Sequence, residues 1–186
     1  MKWIPLWQTQ LGHLSGKPNV TGIEIGVLHG DCAVFCAEQI ANGEGSIHYA
    51  LDIHSNEYLV NNIRPYLERI SFFQGRSDEI LRNLKSNGKN KAFADYIYID
   101  GCHLAIDVLQ DAVLSWYLLK DNGILIFDDY GWGIQTNDEK QKPKLAIDAF
   151  LSAYKGHYEM LHFGWQVFIK KLPYTYSREE LESNYQ

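Results

Sequence analysis

No apolar run in the 186-residue chain approaches the roughly 20 residues that a bilayer span needs. The opening Met1-Lys-Trp-Ile-Pro-Leu-Trp7 has too short an apolar stretch to read as a signal peptide. Cysteine is scarce: Cys32, Cys36 and Cys102 are odd in number and fit no disulfide or zinc spacing. Cys32 and Cys36 are spaced as one helix face places them, so they read as buried free thiols of a reducing, cytoplasmic setting. Positive charge is also short, with 17 Lys and Arg against 23 Asp and Glu, a formal net charge of −6. A nucleic-acid partner is excluded on that ground, because no cationic stripe exists to release counterions. Lys140, Lys142 and Lys144 alternate with Gln141 and Pro143 and read as a solvated loop. Repeats, low-complexity tracts and linkers are missing too, and 46% apolar residues suffice for one core.

What is present is an alternation of strand and helix patterns. Strands are expected at 22–27, 47–53, 70–74, 93–99 and 124–127, with helices at 31–42, 56–69, 78–86, 104–119 and 144–154 between or after them. Asp31 is placed to cap the first of these helices, and Pro65 is tolerated only near the end of the second or at a kink. In 104–119 the stripe Ile106, Leu109, Val113 and Trp116 marks the apolar face, and Asn122-Gly123 ends the helix. Ser86–Asn90 is a turn, and 157–162 with 165–171 form a hairpin about Gly164. The expectation is an α/β, doubly wound, Rossmann-like sheet of seven strands, mostly parallel with an antiparallel last strand, and helices on both faces. Residues 1–20 form an arm, 21–172 the domain and 173–186 a tail.

Four strand patterns end in carboxylates, at Glu24, Asp52, Asp100 and Asp128-Asp129. Open parallel sheets bind ligands outside the carboxyl ends of their strands, so these groups converge on one crevice. Such a crevice asks for a cation, a sugar diol, or both. Glu24-Ile-Gly26-Val-Leu-His-Gly30 lets the backbone approach a ligand closely. Its spacing is neither the dinucleotide G-x-G-x-x-G nor a P-loop, which favours a smaller nucleoside-type ligand over a pyrophosphate. Asp52 closes the second strand, where a carboxylate accepts hydrogen bonds from ribose hydroxyls.

On these residues the chain, from about 20 to 171, resembles the class I S-adenosylmethionine-dependent methyltransferases. The resemblance is closest to small-molecule O-methyltransferases with an acidic metal site, of the catechol and macrolide-sugar types. The family loop reads E-x-G-x-x-x-G-x-S, and this chain carries Cys32 at the serine position. The resemblance implies that Glu24 approaches the amino group of the methionine moiety, with Gly26 and Gly30 along its backbone and Asp52 on the ribose. Ser77 falls where the family contacts adenine, and Asp100 belongs to both the cofactor edge and the metal site.

Asp100, Asp128 and Asp129 offer hard oxygen ligands suited to Mg²⁺ or a similar divalent cation. In the resembled enzymes such an arrangement holds Mg²⁺, which chelates neighbouring hydroxyls of the acceptor. The other reading leaves Asp100 or Asp128 as ordinary strand-end carboxylates capping the next helix. His103, in Asp100-Gly-Cys-His103, stands where the macrolide-sugar enzymes place a general base; otherwise it caps the helix that follows. Tyr130 and Trp132 either wall an acceptor ring or pack in the core. The expected reaction is methyl transfer to a hydroxyl of a sugar or other diol-like small molecule. A non-catalytic S-adenosylmethionine-binding protein and a nicotinamide-dependent oxidoreductase stand as alternatives. The site is either open or completed by a second copy in a homo-oligomer.

Overall fold

The strands β1 (Thr21–Ile25), β2 (Ile47–Asp52), β3 (Ile70–Gln74), β4 (Ala94–Ile99), β5 (Leu119–Phe127), β6 (Tyr158–Phe163) and β7 (Val167–Lys171) form one sheet. Its order is β3-β2-β1-β4-β5-β7-β6, parallel up to β5, with β7 antiparallel to both its neighbours. This is the doubly wound sheet with an antiparallel last strand that the alternation of patterns predicts. The structure, a computed structural model, describes residues 3–86 and 92–173. The turn expected at Ser86–Asn90, beyond its first residue, and the tail from 174 onward lie outside them. Among the described residues no helix is long and apolar enough to cross a membrane.

Period-two alternation divides the core into two layers. Ile23, Ile25, Ile97, Ile99, Leu125 and Phe127 face α4 (Ser77–Ser86), α5 (Ala105–Leu118) and α6 (Pro143–Ala153). From the other face Tyr96, Tyr98, Ile124, Ile126 and Phe168 meet α1 (Ile4–Leu11) and α2 (Asp31–Gln39), and Ala50 and Ile70 meet α2 and α3 (Glu57–Ile63). Residues 3–20, expected as an arm, lie on this second face: Trp7 and Leu11 are fully buried. Each such large side chain contributes roughly 1.5–3 kcal/mol by leaving water.

Local details differ from the sequence pattern for physical reasons. Asp31 does not cap α2; Gly30, at φ 85°, is the N-cap, and Asp31 lies in the first turn, where its charge suits the helix dipole. The second helix is capped by Asn56, which accepts from the Leu59 amide at 2.9 Å, and tightens into a 3₁₀ turn at Arg64–Tyr66 around Pro65. In α5 the buried face is Ala105, Val108, Asp111, Ala112, Ser115 and Trp116, while Ile106 is 73% exposed. Asn122-Gly123 does not end that helix. Leu119 already pairs with Ala94, the next pair is Ile124 with Tyr96, and residues 120–123 bulge between them with Asn122 at φ 64°.

Candidate active site

The carboxyl ends of β1, β2 and β4 open into a cavity of about 810 Å³. Glu24, Gly26, Asp52, Ser77, Asp100, His103 and Asp129 all line it; Gly30 and Asp128 do not. Gly30 turns the chain into α2, and a side chain there would crowd Leu59 and Ile63. Gly26 sits at φ 87°, and a Cβ on it would overlap the Asp100 carbonyl, so only glycine lets the loop close on the end of β4.

The loop is held from below by Asp52. Its Oδ2 accepts from the amides of Val27 (2.8 Å) and Leu28 (3.0 Å), and its Oδ1 from the amide of His54 (3.0 Å). From α3 and its N-cap, Asn56 Nδ2 donates to the Leu28 carbonyl at 2.8 Å and Asn62 Nδ2 to the His29 carbonyl at 2.9 Å. Neither Asn was singled out from the sequence; a short polar side chain on an exposed helix carries no distinguishing signal. Glu24 is 1% exposed, and its Oε2 lies 2.9 Å from His48 Nε2. Burial pushes the Glu24 carboxyl above its usual value, and His48 works against that push.

On the α4 and α5 side, Ser77 donates to Asp111 Oδ1 at 2.7 Å. Burial raises the Asp111 carboxyl to about 6 against that hydrogen bond. Burial would also raise Asp78, but Arg76, 3.0 Å away, and Arg82 outweigh it and hold the carboxyl below its ordinary range.

The carboxylates after β4 and β5 are crowded. Burial, then the neighbouring charge of Asp128, raises Asp100 to about 8, and the same two causes in the same order raise Asp129. Tyr98 Oη lies between Asp100 Oδ2, at 2.9 Å, and Asp128 Oδ2. Burial raises its pKa too, so it stays a phenol whose single proton the two carboxylates share. Asp128, read from the sequence as a third carboxylate ligand, is engaged elsewhere. Its Oδ1 accepts from the Asp129 amide at 2.6 Å, and its Oδ2 from Gln166 Nε2 at 2.8 Å. Gln166 in turn accepts from the Trp7 indole at 3.0 Å. The left-handed backbone of Asp129, φ 58°, sends its side chain the other way, to His103 Nε2 at 2.8 Å and the Trp165 indole at 3.0 Å. Asp100, His103 and Asp129 thus offer one ligand atom each, all within 4.8 Å of one another.

His103 does not cap α5; the N-cap is Leu104, whose own side chain makes no cap bond and whose amide donates to Cys102 Sγ at 3.5 Å. The two aromatics after Asp129 part company. Tyr130 bonds to Asp148 at 2.9 Å and packs on Phe163, whereas Trp132, 48% exposed, lies 4.4 Å from the His103 ring.

A family model described as a methyltransferase domain matches residues 23–130. No curated protein matches the chain. Among solved structures it is similar to the MycE methyltransferase from the mycinamycin biosynthetic pathway, in complex with Mg, S-adenosylhomocysteine and mycinamycin VI. That similarity has a TM-score of 0.69 at 15% identity over 99% of this chain, which spans 54% of that one. This chain is thus about half the length of the MycE chain. It is also similar to a Corynebacterium glutamicum protein (TM-score 0.69, 16% identity, 92% of this chain and 81% of that one). A Bacillus cereus O-methyltransferase in complex with S-adenosylhomocysteine gives a TM-score of 0.66 at 18% identity, over 91% of this chain and 78% of that one. At these identities the likenesses establish the fold.

Proposed function

This chain belongs to the methyltransferase domain family, and we propose that it is a class I S-adenosylmethionine-dependent enzyme that methylates a hydroxyl of a small molecule held beside a divalent cation. The observation that carries this reading is the meeting of Asp100, His103 and Asp129 in the cavity that also holds Glu24, Gly26 and Asp52.

The residues present suit both groups. Gly26 keeps the cavity wall free of a side chain, Glu24 brings a buried carboxylate for an ammonium, and Asp52 brings a fixed one for hydroxyls. Two crowded carboxylates beside an imidazole suit a divalent cation such as Mg²⁺, which would relieve the repulsion that raises their pKa values. When bound, S-adenosylmethionine supplies an electrophilic methyl group, and the cation fixes the acceptor hydroxyl and makes it more acidic.

Asp100 and Asp129 hold the cation in this reading, each carboxylate having lone pairs beyond its protein hydrogen bonds. Asp128 supports them from behind through Tyr98 and the Asp129 amide. Asp129 also fixes the proton of His103 on Nε2, which leaves Nδ1 to take the hydroxyl proton. The carboxylate then stabilises the imidazolium that forms. Trp132 and Trp165, half exposed on either side of this pair, give an acceptor ring an apolar surface. The acceptor class is a sugar or another diol-like molecule, as a chelating cation requires.

Calorimetric titration with S-adenosylhomocysteine, once with Mg²⁺ and once with EDTA, tests the reading. Binding is expected in both, with a separate Mg²⁺ heat that Asp100→Asn abolishes. His103→Gln keeps that heat and loses methylation of vicinal diols. Absence of S-adenosylhomocysteine binding defeats the cofactor assignment, and loss of the Mg²⁺ heat in His103→Gln makes the imidazole a ligand and not a base.

A further inference from the structure

Glu24 is the most deeply buried acid in the cavity wall, and a carboxylate so placed neutralises itself unless the protein opposes it. The opposition comes from the next strand. His48, fully buried on β2, sets Nε2 at 2.9 Å from Glu24 Oε2 and Nδ1 at 2.9 Å from Tyr96 Oη. His48 and Tyr96 are the two partners of Gly22 in the sheet, one on each side of β1. Their rings meet across it, nearly parallel, with centroids 5.8 Å apart. A Cβ on Gly22 would overlap the Tyr96 phenol, so the missing side chain is what lets the two rings touch. Glu24 follows on the same sheet face, two residues along the strand.

We propose that His48, anchored by Tyr96 through the gap at Gly22, is a positioning residue that keeps the Glu24 carboxylate aimed and ionised for the ammonium of the cofactor's amino-acid end. The inference rests on S-adenosylmethionine being the ligand of this cavity. Its logic is one of tautomers. With a neutral imidazole, Tyr96 donates to Nδ1 and the hydrogen stays on Nε2; with imidazolium, both nitrogens carry one. In either state an N–H points at Glu24. Burial acts to lower the His48 pKa, yet Cys36 and the Glu24 carboxylate outweigh it, and burial keeps Tyr96 a phenol. The other titratable groups facing this trio are Cys32 from α2, Asp52 at the end of β2 and Asp100 after β4.

The test compares S-adenosylhomocysteine, which carries the ammonium, with 5′-methylthioadenosine, which lacks the amino-acid end, by calorimetry on the full chain. The wild-type protein should bind the first more tightly. His48→Leu should weaken S-adenosylhomocysteine about ten- to hundredfold, the range of a charge-assisted hydrogen bond, and leave methylthioadenosine within about twofold. His48→Gln, whose amide can still donate to Glu24, should recover most of the preference. Tyr96→Phe, which spares the shape, should lose a smaller part of it and serves where His48→Leu does not fold. Equal weakening of both ligands, or no change in either, overturns the role of His48. Failure of the wild type to bind either ligand overturns the cofactor reading, and this inference with it.

Discussion

The carboxylates around this cavity divide into those the chain satisfies and those it leaves in deficit. Asp52 accepts three backbone N–H groups and stands ready-made. Glu24 has an imidazole, which offsets part of the push that burial gives it, and Asp78 has two guanidinium groups. Asp111 has a single hydroxyl and rises to about 6. Asp100 shares one phenol with Asp128 and rises to about 8. Fixed donors preorganise the first group toward a ligand with no cost at the moment of binding. The second group is unfavourable as it stands and becomes favourable only with an added positive charge. In the proposed reading, that contrast separates the nucleoside wall from the cation wall better than residue types do.

The largest break in the contrast should come from Asp100→Asn. Methylation of a vicinal diol in Mg²⁺ is expected to fall on the order of a thousandfold, about 4 kcal/mol of transition-state stabilisation. S-Adenosylhomocysteine affinity should stay within about threefold, because the satisfied wall is untouched. At neutral pH the metal-free variant should also melt higher than the metal-free wild type, since the folded protein no longer has to take up a proton on a carboxyl raised to about 8. Equal loss of turnover and cofactor affinity would erase the distinction between the two walls.

Asp111 lies between the extremes and tests whether one donor suffices. Its folded pKa, about 6, stands above the ordinary aspartate value of 3.8. Between those values the native state keeps a proton that the unfolded chain has released. The associated stability is therefore complete below pH ~4 and lost as pH rises through ~6. At about 1.4 kcal/mol per pH unit the loss is no more than roughly 3 kcal/mol. Urea unfolding from pH 4 to 7 should show this decline in the wild type and a flatter profile in Asp111→Asn. Parallel profiles would mean that Ser77 already satisfies the carboxylate.

Much of this was legible before any coordinates. Strand ends with acidic residues, the glycine spacing and the Asp100–His103 interval are local patterns, and local patterns survive in a sequence. The parallel order with an antiparallel β7 follows from the alternation and the closing hairpin. What stayed hidden depends on dihedrals or on distant partners. Asp128 and Asp129 are adjacent letters, yet a left-handed φ at Asp129 sends their side chains to different neighbours. The Trp7–Gln166 hydrogen bond joins residues 159 positions apart, so nothing nearby announces that the first helix helps hold Asp128. His48 reads as an ordinary strand histidine until Gly22 is seen opposite it. Ile106 fits the helical stripe but falls on its outer side, because a period of 3.6 leaves the edge of a face undecided over four turns.

The smallest effect sharpens the contrast from its satisfied side. Asp52→Asn keeps one acceptor oxygen, which can still serve Val27 and Leu28. Its amide nitrogen, however, turns a donor toward the His54 N–H, where the wild type has an acceptor. The loop should loosen by about 1–2 kcal/mol, the cost of a lost charge-assisted hydrogen bond plus a mismatched donor. Calorimetry should show both S-adenosylhomocysteine and methylthioadenosine weakened about tenfold, since both carry the ribose diol that Asp52 would meet. The Mg²⁺ heat should be unchanged, because Asp100, His103 and Asp129 share no hydrogen bond with Asp52. A variant that lost the Mg²⁺ heat along with nucleoside affinity would show that the two walls act as one, and that the glycine loop transmits strain from β2 to the end of β4 through the Gly26–Asp100 contact.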